Sequence, residues 1–154
     1  RLSFYRFAFG LAGGGATINW NEIRDILEIL AAERKTTLVW TREPQQPDEN
    51  ISQILAKLVV NLVYLAMECL PLGGVISVDN LEQKAREPIV VRLEGPKCNL
   101  RDDVRSGLIA DLPIEQLSVR NIVAYLATSF ASCLGRSLKV KDENSNGIVI
   151  TILR

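Results

Sequence analysis

The sequence has no histidine among its 154 residues. Histidine is the usual base of catalytic triads, a common metal ligand and the phosphoacceptor in histidine phosphotransfer. The chain as given therefore has no histidine-dependent triad, no histidine-ligated metal and no phosphohistidine. We predict that this chain contains no catalytic residue of its own.

Cysteine is scarce and odd in number. Cys69, Cys98 and Cys133 lie far apart in the sequence, which excludes a complete disulfide framework and any closely spaced metal or redox motif. Cys69 and Cys133 lie in apolar helical runs, so we expect both to be small buried side chains. This use of cysteine indicates a reducing compartment, and we predict the cytoplasm.

Net charge and long apolar runs are also missing. Eighteen basic side chains balance eighteen acidic ones, so the whole chain exerts no net attraction on nucleic acid or on an anionic membrane surface. The most apolar run, residues 58–67, contains Asn61 and is too short to span a bilayer. We therefore expect neither nucleic acid nor a membrane as a partner.

The patterns that are present predict one mixed domain of helices and strands. A chain of 154 residues with 47 % apolar side chains can bury a substantial core. Four segments have helical periodicity, the third of them short: 20–34, 51–70, 101–110 and 115–134. Five β-branched runs predict strands: 36–40, 74–80, 88–95, 137–142 and 147–153. The expected fold is α+β, a two-layer sandwich in which a mixed sheet of about five strands packs on three long helices.

The helix predicted over residues 51–70 is apolar on nearly every side and should lie at the centre of the domain, with Asn50 as its cap. Its few polar residues, Lys57, Asn61 and Glu68, share one face, which we interpret as the solvated face of the helix. Asn61 itself fits a buried amide better than a metal ligand. The last long helix should turn six side chains inward: Ile122, Tyr125, Leu126, Ser129, Phe130 and Cys133.

Residues 61–74, NLVYLAMECLPLGG, have the outline of a nucleotide-binding helix. They resemble, position for position, the N-L-L-x-N-A-x-K-x-T-P-x-G-G helix of histidine kinases and related ATPases of the GHKL superfamily. In this resemblance Leu65 replaces the asparagine that coordinates Mg²⁺, and leucine offers no oxygen to a hard cation. Glu68 replaces a lysine or arginine that helps to hold phosphates, and a carboxylate repels a triphosphate.

Two later landmarks of that superfamily are also altered. Glu94 follows a predicted strand where the superfamily has its adenine-binding Asp-x-Gly-x-Gly, and the chain reads EGPK there. The glycine-rich lid is replaced by residues 109–121, IADLPIEQLSVRN, which contain no glycine to let backbone N–H groups approach a phosphate. We expect a degenerate nucleotide site that binds neither ATP, nor a metal, nor another cofactor. Its positions are Asn61, Leu65, Glu68 and Glu94.

A kinase-like frame without nucleotide chemistry resembles the ChpT-type histidine phosphotransferases of bacteria. Three segments carry this resemblance: FYRFAFG (4–10), KLVVNLVYLAMECLPLGG (57–74) and EGPKCNL (94–100). Glu68 agrees with this family where it departs from the kinases. The resemblance implies that residues 1–12 end a dimerisation helix and that residues 16–154 form a degenerate kinase-like domain.

The resemblance further implies a role in a phosphorelay. A helical hairpin of this family forms a dimer and carries a histidine, which takes a phosphoryl group from one receiver-domain aspartate and passes it to another. That histidine is expected upstream of this chain, and the kinase-like domain helps to bind the response regulator. The implied partners are response regulator receiver domains, an upstream hybrid histidine kinase and a second copy of the chain.

Two groups of residues are candidates for binding a receiver. The first lies near the junction with the hairpin: Arg1, Tyr5, Arg6 and Phe9. The second consists of arginines that could complement the acidic pocket of a receiver, or could be ordinary surface residues: Arg101, Arg105 and Arg120. Two other functions stay open, a module that binds a response regulator without phosphotransfer and an ATP-binding GHKL kinase or anti-sigma domain.

Overall fold

The computed structural model describes residues 17–41, 50–79, 88–109, 112–144 and 146–153. Within these ranges there are four α-helices: α1 (Trp20–Glu33), α2 (Gln53–Glu68), α3 (Asp102–Ile109) and α4 (Ile122–Cys133). Seven strands accompany them: β1 (Thr17–Asn19), β2 (Thr36–Trp40), β3 (Asn50–Ser52), β4 (Gly74–Asp79), β5 (Ile89–Glu94), β6 (Ser137–Asn144) and β7 (Gly147–Leu153). Among the described helices, none combines the length and the apolar character that a membrane crossing requires.

Five strands form one mixed sheet in the order β2-β4-β5-β7-β6. Only β2 and β4 run parallel, and the other three pairs are antiparallel. The hairpin of β6 and β7 turns before Gly147, with a register shift between Asp142 and Asn144. The predicted α+β fold with a mixed five-stranded sheet is therefore confirmed, and β1 and β3 add a small antiparallel pair beside it.

The core lies between the sheet and α2. Alternate side chains of the central strands are buried towards the helices: Ile76, Val78, Ile89, Val91, Leu93, Ile148, Ile150 and Ile152. Twelve of the 16 residues of α2 are buried, which confirms that this helix is central. Our interpretation of its polar face as solvated is wrong for Lys57, which is 3 % exposed, whereas Asn61 is 0 % exposed, as expected of a buried amide. The Asn61 amide nitrogen donates to the Lys57 carbonyl at 2.7 Å, one turn back in the same helix.

Two helices begin where local contacts dictate. Asn19 caps α1, because its side-chain oxygen accepts from the Asn21 N–H at 2.8 Å. Asn50 was expected to precede α2 directly, but Asn50–Ser52 is extended and pairs with β1, and α2 begins at Gln53. The predicted boundary at residue 51 therefore lies two residues too early.

The start and the inward face of α4 also differ from the prediction. The helix begins at Ile122 because the preceding residues form a 3₁₀ turn, Ile114–Gln116, and a bend held by the Asn121 side chain. That side chain accepts from the Ser118 N–H at 2.8 Å and donates to the Gln116 carbonyl at 3.0 Å. The fully buried residues of α4 are small: Ala124, Ala127 and Ala131. The prediction that Cys133 is buried is wrong, because its side chain is exposed.

Small residues face the neighbouring helices because the helix backbones approach closely. A Cβ atom added to Gly107 of α3 would lie 3.0 Å from the Ala124 Cβ atom. The Thr128 hydroxyl donates to the Gly107 carbonyl at 2.6 Å, which fixes this approach. The larger side chains that were expected inside, such as Tyr125 and Phe130, are instead half-buried along the edges of the contact.

Gly73 lies in the turn that ends the nucleotide-type motif, and its backbone requires glycine. Its φ is +80°, and an added Cβ atom would lie 2.5 Å from the Lys35 carbonyl oxygen. We expect Gly73→Ala to lower the free energy of unfolding by roughly 3 kcal/mol, from left-handed strain and overpacking together. Urea unfolding followed by circular dichroism measures this change.

Gly135→Ala is the matched control. Gly135 also has a positive φ, +67°, but an added Cβ atom meets nothing within 4 Å. Only the backbone cost, about 1 kcal/mol, should appear there. Equal destabilisation by the two substitutions would show that the contact with Lys35 is unimportant.

Candidate functional site

A pocket of about 600 Å³ opens beside the C-terminal half of α2. We name it the α2 pocket. Its other walls are the segment that leads into α3, α3 itself, the connector between α3 and α4 (residues 112–121 in the described part) and the first turn of α4. Six of the lining side chains are aliphatic: Leu65, Leu100, Val104, Val119, Ile122 and Val123.

The spacing of α2 brings two predicted site residues into this pocket. Leu65 and Glu68 are three residues apart, so they lie one above the other on the same face of the helix. The next wall is attached to the end of α2 by a backbone hydrogen bond, in which Asn99 N–H donates to the Cys69 carbonyl at 3.0 Å. At the position where the superfamily has its metal ligand, the pocket is lined by the aliphatic side chain of Leu65.

The carboxylate of Glu68 is held in an ion pair. One guanidinium nitrogen of Arg34, in the turn after α1, lies 3.0 Å from a Glu68 oxygen. The same guanidinium lies over the Tyr64 ring, 5.1 Å from its centroid. Burial acts to lower the pKa of Arg34, but Glu68 and Tyr64 outweigh it and raise that pKa above its usual value. Repulsion of a phosphate by Glu68 is therefore partly cancelled, and the side chain stabilises the fold.

The other two positions of the predicted nucleotide site lie elsewhere. Asn61 is buried one turn earlier in α2 and does not line the α2 pocket. Glu94 is exposed at the end of β5, where it lines a separate cavity of about 110 Å³ beside the ion pair of Arg92 and Glu143. The structure thus brings Leu65 and Glu68 together and leaves Asn61 and Glu94 apart from them.

The three predicted arginines divide in the same way. Arg101 and Arg120 line the α2 pocket, whereas Arg105 lies outside it and pairs with Asp142 of β6 at 2.9 Å. The Nε atom of Arg101 is 3.4 Å from an Asp103 oxygen. Within the described residues, the Arg120 side chain forms no ion pair. The other candidates, Arg1, Tyr5, Arg6 and Phe9, lie outside the residues that the structure describes.

Two exposed apolar residues of the connector escaped the sequence analysis. Val119 is 94 % exposed and lines the mouth of the pocket, and Ile114 is 73 % exposed in the same connector. Their signal in the sequence was an apolar residue flanked by turn-forming and charged residues. Periodicity could not separate them from the inward residues of a helix that was expected to begin near residue 115.

The described residues offer little to a metal or a phosphate. They contain no cluster of three or more His, Cys, Asp or Glu side chains that could hold a metal ion. The described part of the connector has no glycine, and hydrogen bonds of Ser118 and Asn121 brace its bend. The pocket is suited to apolar contacts with a few charged groups at its mouth.

Comparison with known proteins identifies the family. The model of the histidine phosphotransferase C-terminal domain matches residues 20–146. The chain belongs to this family. Its members act in phosphorelays, and the expected resemblance to ChpT-type proteins is confirmed. No curated protein sequence matches the chain.

Solved structures share the fold of this histidine phosphotransferase domain. A bacterial phosphotransferase superposes with a TM-score of 0.78 at 19 % identity, over 98 % of this chain and 70 % of that one. The catalytic domain of histidine kinase ThkA gives 0.55 at 13 % identity, over 90 % and 94 % of the two chains. Full-length ShkA in complex with AMPPNP gives 0.59 at 11 % identity, over 98 % and 35 %. At these identities the likeness shows the kinase-type fold alone.

The reactivity of Cys69, which lines the α2 pocket of this histidine phosphotransferase domain, reports how accessible that part of the pocket is to water. Burial, with smaller contributions from Cys98 and Glu68, raises the pKa of the Cys69 thiol to about 12. A raised pKa favours the protonated thiol, so at pH about 8 only on the order of one molecule in ten thousand carries a thiolate there. We expect iodoacetamide at that pH to label exposed Cys133 long before Cys69, as measured by peptide mass spectrometry.

The denatured protein is the control, because all three thiols should then react at similar rates. Labelling of Cys69 in the native protein at the rate of Cys133 would contradict a dry pocket base.

Proposed function

We propose that this chain is the kinase-like portion of a cytoplasmic histidine phosphotransfer protein. The protein relays phosphoryl groups between receiver-domain aspartates by way of a histidine upstream of the chain. Residues 1–12 end its dimerisation helix, and residues 16–154 form the domain that helps to bind the response regulator. Membership of the histidine phosphotransferase family supports this proposal.

The domain binds no ATP in this proposal. The observation that carries the argument is Leu65, which is 3 % exposed and lines the pocket at the position of a magnesium ligand. A hard cation needs oxygen ligands, and the aliphatic wall supplies none. Glu68, held by Arg34, adds no positive charge for phosphates. Without bound Mg²⁺ or a glycine-rich lid, the charge of a triphosphate would stay largely uncompensated.

The mouth of the α2 pocket supports a role in docking a receiver. Val119 lines the pocket together with Arg101 and Arg120, and Val119 and Ile114 of the connector both present apolar surface to solvent. A receiver's phosphorylation site is rich in carboxylates, so cations at the mouth complement its charge and steer encounter. The proposed interface is centred on Val119 and Arg120, and Arg1, Tyr5, Arg6 and Phe9 are proposed as further contacts of the receiver.

A second function is favoured by one observation, the absence of histidine from the 154 residues. In this alternative the chain is a module that binds a response regulator without transferring phosphate. The two functions differ in whether the protein, in the form its gene encodes, accepts a phosphoryl group. Incubation with phosphorylated receivers, followed by acid-labile phosphate analysis, separates them.

We expect isothermal titration with Mg-ATP to give no saturable heat at millimolar nucleotide. ShkA, whose structure contains AMPPNP, is the positive control with that analogue. Leu65→Asn combined with Glu68→Lys should not restore binding, because Arg34 would then repel a second cation and the connector would still lack glycine. A micromolar dissociation constant for the native protein would refute the degenerate site.

We expect Arg120→Glu and Val119→Asp each to weaken receiver binding by about tenfold, since each removes a central contact of the proposed interface. The receiver is chosen by profiling the response regulators of the source genome for phosphotransfer. Binding is measured by titration and transfer by the loss of label from the donor.

Lys139→Glu is the matched control, because Lys139 is an exposed cation on β6 that does not line the α2 pocket. If this control weakens binding as much as Arg120→Glu, the effect is one of overall charge and the proposed interface is wrong.

A further inference from the structure

The α2 pocket has the size and walls of a small-molecule site. Its volume of about 600 Å³ falls within the roughly 300–1,000 Å³ that is usual for ligand pockets. Leu65, Leu100, Val104 and Val123 give it a largely apolar lining. An apolar body of two or three fused or linked rings would be desolvated against these walls, which is favourable in proportion to the area buried.

The charges at the mouth determine which polar group the occupant would carry. The lining residues with formal charge are Glu68, Arg101 and Arg120. Glu68 is paired with Arg34 at 3.0 Å, and Arg101 is paired with Asp103 at 3.4 Å. Arg120 remains as one cation without a counter-ion among the described residues. A single negative charge matches this excess, whereas the charge of a nucleoside triphosphate exceeds it.

We propose that the α2 pocket binds a small amphipathic monoanion, with an apolar aromatic or acyl body against Leu65 and Val123 and one acidic group beside Arg120. The acidic group is a carboxylate, a sulfonate or a singly charged phosphate ester, because each accepts charge-assisted hydrogen bonds from a guanidinium. Nothing in this inference requires phosphotransfer or receiver binding, so it stands or falls separately from the proposed function.

Anilinonaphthalene sulfonate is a suitable probe, since it joins linked aromatic rings to one sulfonate and becomes fluorescent in apolar surroundings. We expect the folded protein to bind one equivalent with saturable fluorescence. Nitrogen-15 NMR spectra recorded during the titration should show the largest shifts at pocket residues such as Leu65, Val104 and Val123. A parallel titration with dodecanoate, which lacks rings, distinguishes an aromatic site from an acyl site.

Two substitutions test the two halves of the site. Val123→Trp places a large side chain in the pocket and should abolish saturable binding. Val75→Trp is its control, because Val75 is an exposed apolar residue on β4 outside the pocket. Arg120→Glu should weaken binding of the sulfonate by about tenfold or more, the loss of one charge-assisted contact. Lys139→Glu should leave the affinity unchanged.

Arg120→Glu should fold normally, because Arg120 is exposed and its substitution removes no core contact. A loss of binding in this variant therefore reports the lost charge and not misfolding. Circular dichroism verifies the fold of each variant, since loosely packed states also bind this dye. Absence of saturable binding, shifts outside the pocket, or equal affinities for Arg120→Glu and Lys139→Glu would each overturn the inference. The outcome of the phosphotransfer assay with a receiver is independent of these results, so the two proposals can fail separately.

Discussion

Burial of α2 on nearly every side is the constraint on which the rest of this structure depends. A helix with twelve of 16 residues buried must be covered by a sheet on one side and by other helices around it. The sheet supplies alternate isoleucines, valines and Leu93, and α4 supplies small residues such as Ala124 and Ala127 that allow close approach. From α2 itself, Tyr64, Leu65 and Glu68 in the last turns line the α2 pocket. The part of the pocket that this helix supplies is therefore confined to that end.

The same confinement explains how a nucleotide-binding position becomes structural. In the pocket the side chain at position 68 can reach the turn after α1, where Arg34 lies. A cation at position 68 would face that arginine, whereas a glutamate forms an ion pair with it and leaves the guanidinium over the Tyr64 ring. The pair is half-exposed, so its contribution to stability is modest. Its main effect is geometric, because it fixes which charges remain free at the mouth.

Much of the fold could be predicted from the sequence, because most elements have a strong local pattern. The five strands of the main sheet follow from β-branched runs, a preference that acts over a few residues. The errors arose where tertiary contacts override local preference. Residues 50–52 pair with β1 instead of leading directly into α2, and Lys57 is buried although a lysine in a helix usually reaches solvent.

The candidate site shows the same division. Leu65 and Glu68 were assigned through the resemblance to the kinase helix, and an α-helix places both on one face, but the separation of Glu94 from them depends on where β5 ends in three dimensions. The conformation of the connector could not be predicted from helix periodicity, because its bend is held by hydrogen bonds of the Asn121 side chain. That bend exposes Val119 and leaves Arg120 without an ion-pair partner in the described chain. The described part of this connector has no glycine and places an apolar and a cationic side chain at the edge of the pocket, whereas a glycine-rich lid could bring backbone N–H groups close to a phosphate.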